Sequence, residues 1–224
     1  MATGLRKSNP SKKKWKNYID ELANLIFFWG FSILFFTIFR LSFVLIFSSE
    51  LNWNKISCDL INVLITGFRF DTMVTSYFIL VPFLSNLILY NSKKKYVVKK
   101  LRGIFQQLFI ILSPLICIIT LNYFKEYNNQ FNHFVFLALY DDLDAVIKTI
   151  ISDFNPLINL FCLLLIYYLS NKIFNYFEKG RKISSYLIKI KSLKGRGVLI
   201  VLTLILFIFS IRGSTSKRPI MRKL

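Results

Sequence analysis

Histidine is almost missing from this chain: His133 is the only one in 224 residues. A single imidazole excludes a Ser-His-Asp triad and any metal site built on histidines, and it reads as an interfacial hydrogen-bonding group. Cysteine is nearly as scarce. Cys58, Cys117 and Cys162 are far apart and form no CxxC pair, which excludes a disulfide framework and a zinc cluster and leaves small buried hydrophobes. No Gly-rich phosphate loop, G-x-S-x-G or H-E-x-x-H occurs. Gly and Pro number 8 and 5, too few for the turns of a soluble domain of this length.

Acid is scarce too, with 11 Asp and Glu against 30 Lys and Arg, a formal net charge of +19. Such a balance would suit a nucleic-acid binder if the cations shared one soluble face. They do not. They fall between long apolar runs, where a membrane protein keeps its cytoplasmic loops. What fills the chain instead is hydrophobic residue, 54% of the total, with 24 Phe. That composition predicts an all-α polytopic membrane protein that does not bind nucleic acid.

A span needs about 20 largely apolar residues, and five stretches qualify: about 22–47, 71–90, 104–124, 156–175 and 198–214. The division expected is a basic cytoplasmic tail over 1–21, a five-span membrane domain over 22–214 and the start of an extracytoplasmic linker over 215–224. The N-terminus has a positive region but no small-x-small cleavage site after the apolar run, so it reads as a signal anchor. Lysine and arginine set the orientation. Arg6, Lys7, Lys12–Lys14 and Lys16 precede span one. Lys93–Lys95, Lys99, Lys100 and Arg102 follow span two, and a third cluster from Lys179 to Arg196 follows span four. Five spans put all three on one side, predicting a cell (cytoplasmic) membrane protein with its N-terminus inside and its C-terminus outside. The basic tail from Arg212 onward runs against that pattern.

Two outer segments read as interfacial. Over 55–67, Ile56, Leu60, Ile61, Leu64 and Ile65 share one helical face, predicting an amphipathic helix closed by Gly67. Asp71 then reads as the N-cap of span two. Over 123–154, aromatic residues interleave with polar ones, predicting a pair of short interfacial helices. Asp141, Asp142 and Asp144 lack the spacing of a calcium loop and read as a solvated acidic face.

Charges at the span edges are the best candidates for function, because an unpaired charge in hydrocarbon costs several kcal/mol. Arg40 lies about two-thirds across span one, to snorkel outward or to clamp a lipid phosphate. Arg69 and Asp71 flank Phe70. Two apart on a helix they would not face each other, but at a break between helices they could pair; headgroup contact by Arg69 is the alternative.

Arg40-Leu41-Ser42-Phe43, Gly67-Phe68-Arg69-Phe70-Asp71 and Phe131-Asn132 occur in that order among five spans, followed by Arg212-Gly213 and Arg218-Pro219. This arrangement resembles the N-terminal membrane domain of the lipoteichoic acid synthase and phosphoglycerol transferase family, within the sulfatase-like superfamily. The resemblance implies a membrane-anchoring domain, truncated or stand-alone, without the extracytoplasmic catalytic domain and without catalysis of its own. It implies no cofactor in this chain, since manganese or another divalent metal belongs to the missing domain. Expected partners are the bilayer, phosphatidylglycerol headgroups and a separate catalytic domain. Arg40, Arg69, Asp71 and Asn132 are the candidate headgroup or structural polar residues, and none is a catalytic or metal residue. A small transporter or channel subunit and a lipid-modifying membrane enzyme are the alternatives.

Overall fold

The computed structural model describes residues 10–47, 53–89, 95–128, 148, 155–180 and 192–213. Among them, five helices account for the regular structure: α1 (Pro10–Ile46), α2 (Trp53–Ile88), α3 (Lys95–Tyr127), α4 (Pro156–Gly180) and α5 (Leu193–Arg212). All five are long and apolar enough to cross a bilayer. The chain is an all-α multi-pass membrane protein.

Each expected span falls in one of these helices to within two residues at its end, but the first three helices begin well before their spans. Lysine and arginine are good helix formers, so the basic segments 10–21 and 95–103 continue the helix instead of forming loops. Arg102, expected in a loop, lies two turns inside α3. The larger correction concerns α2. The separate amphipathic helix over 55–67 and the break at Gly67 do not exist, because one helix runs unbroken from Trp53 to Ile88. Asp71 is therefore an interior helical residue, not an N-cap. Pro82 and Pro114 also lie inside helices, which membrane helices tolerate when neighbours re-satisfy the freed backbone. The aromatic segment 129–147, with Asn132, His133 and the three aspartates, lies outside the described residues. So do residues 215–224.

Helix ends follow local chemistry. Asn155 takes a left-handed conformation (φ 43°), and its carbonyl accepts from the N–H groups of Ile158 and Asn159, so Pro156 opens α4 at the position where a missing N–H costs nothing. Gly213 (φ 62°) closes α5, its N–H donating to Phe209 O at 3.1 Å. This is the αL closure that favours glycine.

The chain divides into two compact units, Met1–Gln106 with Lys182–Leu224, and Gln107–Arg181. In the first unit α1 packs on α2, and α2 on α5. Trp15, Tyr18, Ile19, Leu22, Leu25 and Phe28 repeat at three- and four-residue steps and are all buried, one continuous stripe of α1. Phe83 of α2 stacks on Phe207 of α5 with ring centroids 4.3 Å apart. In the second unit Gln107 Nε2 donates to Asn171 Oδ1 at 2.6 Å, a side-chain bond between α3 and α4.

Contacts fix directions within the first unit. Asn86 reaches the carbonyl of Tyr18, and Arg40 reaches Asp71, so α1 and α2 are antiparallel. Arg196 donates to Ser11 Oγ and lies 5.3 Å from the ring of Trp15, while Gly213 meets Arg69, so α5 runs parallel to α1. Lys95 donates to Asn17 and Arg102 to Glu21, so α3 begins at that same end.

Candidate functional site at the two ends of the first unit

Residues 22–39 of α1 carry no charge. At 1.5 Å per residue they span roughly 27 Å, close to the ~30 Å hydrocarbon core of a bilayer. A buried or half-buried ion pair marks each end of this stretch. At the N-terminal end, Arg102 Nε donates to Glu21 Oε2 at 3.0 Å and Nη1 to Gln106 Oε1 at 3.2 Å. The Arg102 and Glu21 side chains are 6% and 5% exposed. At the opposite end, Arg40 Nη2 pairs with Asp71 Oδ1 at 2.9 Å, with side chains 21% and 9% exposed.

In the second pair the Arg40 guanidinium neutralises Asp71 through Nη2. It lies directly over Gly67, where a Cβ would overlap Arg40 Cζ and both Nη atoms. Glycine here leaves room for the close approach of Arg40 and does not close a helix.

Arg69 and Asp71 do not pair. Residues two apart on a helix point about 200° apart, and each serves a different neighbour. Asp71 meets α1, while Arg69 Nε donates to the carbonyl of Gly213 at the end of α5, 2.9 Å away. Asp71 Oδ2 has no hydrogen-bond partner among the described residues. Of the four candidate residues, the structure brings Arg40 and Asp71 together, places Arg69 beside them on the next helix contact, and leaves Asn132 outside the described residues. Sequence reasoning missed Glu21 and Arg102. The signal was the acidic pair Asp20-Glu21 at the end of a lysine-rich segment.

A groove of about 650 Å³ runs between α1, α2 and α5. Leu22, Leu25 and Trp29 form its α1 wall, Phe68 to Phe83 its α2 wall, and Thr203 to Gly213 its α5 wall. It is apolar along most of its length, with Arg69, Thr72 and Ser210 near the Gly213 end. Thr72 is 9% exposed, and its hydroxyl has no partner among the described residues.

Most other hydroxyls within the helices are spent on their own backbones. Ser32 donates to Phe28 O, Thr37 to Ile33 O, Ser76 to Thr72 O, Thr120 to Ile116 O and Ser210 to Leu206 O, at 2.7–2.9 Å. Three or more His, Cys, Asp or Glu side chains never gather among the described residues. Those residues do not offer the donor set that manganese requires, and no chemistry through a metal is assigned to them. Cys117 is buried and Cys162 exposed, both as free thiols. No protein-family model, no curated protein and no solved structure gives a significant match to the chain.

Proposed function

We propose that the chain is a membrane anchor of the phosphoglycerol-transferase type, which seats a catalytic domain at the outer face of the cell membrane and does no chemistry within its spans. The observation that carries this reading is the clamp from Arg69 to Gly213. It fixes the point at which the polypeptide leaves the last span to a neighbouring helix, as a module needs if it is to hold an attached or associated domain at a defined place. The ordered set Arg40, Gly67, Arg69 and Asp71 supports the same kinship. In this structure Arg40 lies over Gly67 and pairs with Asp71, while Arg69 turns to Gly213 of α5. The hydroxyls bonded to their own helices speak against the channel alternative, which needs polar groups turned to a common path.

Purified protein incubated with labelled phosphatidylglycerol and manganese is expected to release no diacylglycerol by itself. Release by this chain alone overturns the anchoring role and favours a lipid-modifying enzyme.

Orientation follows from charge. Lys12–Lys14 and Lys16, Lys95, Lys99 and Lys100, and Lys194 and Arg196 lie at one end of the first unit, and that end faces the cytoplasm. Single cysteines at Asn91 and Asp142, in a background with the three native cysteines replaced, are expected to label from inside and from outside respectively. The reverse pattern would invert the placement.

A further inference from the structure

The groove between α1, α2 and α5 ends at a cation with capacity to spare. Arg69 gives one hydrogen bond, from Nε to Gly213 O, and its two Nη groups have no protein partner among the described residues. Asp71, the carboxylate nearest to it in sequence among the described residues, is already paired with Arg40. Among the described side chains, Arg40, Arg69 and Arg212 against Asp71 leave this end of the first unit positively charged. One helical turn from Arg69, on the same face of α2, the buried Thr72 hydroxyl is also unpartnered. A half-buried guanidinium and a buried hydroxyl beside an apolar channel call for an acceptor-rich anion carrying an apolar chain.

The dimensions suit that ligand. From Phe68 to Phe83 the α2 wall extends about 22 Å, more than the roughly 15 Å that one leaflet contributes to a ~30 Å hydrocarbon core. Its volume falls within the range of small-molecule sites. Wall residues Ile26, Phe68, Leu206 and Phe209 are about half exposed or more, so the groove opens sideways, where a bilayer lipid enters without crossing water.

We propose that this groove binds one anionic phospholipid, its phosphate on the Nη groups of Arg69 and the Thr72 hydroxyl, and one acyl chain along Phe68, Ile79, Phe83 and Leu206. The site rests on the membrane placement of the helices and not on the kinship with transferases. A planar guanidinium with two free N–H edges makes charge-assisted bonds to phosphate oxygens, and the net positive mouth selects an anionic headgroup over a zwitterionic one. Bound there, the lipid would also cover the α1–α5 seam.

The test uses the full chain in phosphatidylcholine nanodiscs containing a phosphatidylglycerol with a diazirine in one acyl chain. Photolabelling is expected to concentrate on the groove walls of α2 and α5 and to fall when unlabelled phosphatidylglycerol is added, but not when diacylglycerol is. Arg69→Gln is expected to lower groove labelling about tenfold, the effect of one charge-assisted bond. Because that variant also loses the Gly213 contact, Leu206→Trp provides a second arm. It fills the groove from an exposed position, leaves Arg69 in place and is expected to abolish groove labelling with unchanged elution. Labelling spread evenly over all five helices, or competition by diacylglycerol equal to that by phosphatidylglycerol, would reduce the groove to ordinary lipid contact. That result in a correctly inserted protein would refute the site while leaving the anchoring role intact.

Discussion

Glu21→Leu alone and Arg102→Met alone are each expected to destabilise the protein by about 3–5 kcal/mol, while the two together restore stability to near that of the parent. Each single change leaves a full charge buried without its partner, since both side chains are almost wholly inaccessible. Gln106 does not rescue Arg102, because a neutral amide oxygen at 3.2 Å solvates a guanidinium without cancelling its charge. Replacing both partners removes the desolvation cost with the attraction, and an apolar pair fits a site beside Tyr18 and Val98, which are buried as well. Thermal unfolding of the detergent-solubilised variants, followed by size exclusion, gives the coupling energy directly as a double-mutant cycle. Additive effects in that cycle would mean that the two charges do not depend on each other, and the account of this end of the bundle would fail.

The existence and number of the membrane-spanning helices were legible because the physics behind them is local. An apolar run long enough to cross hydrocarbon can be recognised without knowing its neighbours, as at 104–124 and 156–175. The start of α4 at Pro156 was legible for the same reason. What was not legible is pairing. Arg40 meets Asp71 across 31 positions, Arg102 meets Glu21 across 81, and Arg69 meets Gly213 across 144. No periodicity within one helix encodes those partners. Glu21 was hidden by its lysine-rich surroundings, which read as a solvated tail, although the helix carries that tail unbroken into the first span.

Gly67 shows how one residue supports two opposite expectations. After an amphipathic run, glycine signals the end of a helix; inside a helix it permits another chain to come close. Local sequence cannot separate the two, and only the position of Arg40 decides. The same cluster explains why Arg69 and Asp71 looked like partners. They are two apart in the chain and opposite in charge, yet the helical rotation between them sends one to α5 and the other to α1.

The variant Gly67→Ala is expected to lose about 2 kcal/mol of stability, although alanine is intrinsically the better helix former. Propensity favours the change by about 1 kcal/mol. Against it, the new Cβ occupies the space of the Arg40 guanidinium. Arginine is flexible and will swing away rather than force the helices apart, but in doing so it gives up the 2.9 Å contact with Asp71. The carboxylate then has neither oxygen paired among the described residues, since Oδ2 has no partner even in the parent. Breaking such a pair costs about 3 kcal/mol or more, which outweighs the gain in propensity. Gly30, Gly103 and Gly197 give the contrast: a Cβ at any of them meets nothing within 4 Å. Alanine there is expected to leave stability unchanged or raise it by up to about 1 kcal/mol. Adding Asp71→Asn to Gly67→Ala is expected to recover part of the loss, because the stranded group is then neutral, while the displaced Arg40, already 21% exposed, can reach water or headgroups. Unfolding midpoints of the four alanine variants and the double variant measured side by side decide the matter. If Gly67→Ala proves as stable as Gly103→Ala, Arg40 is not held over Gly67, and the cluster at this end of the membrane domain has another arrangement.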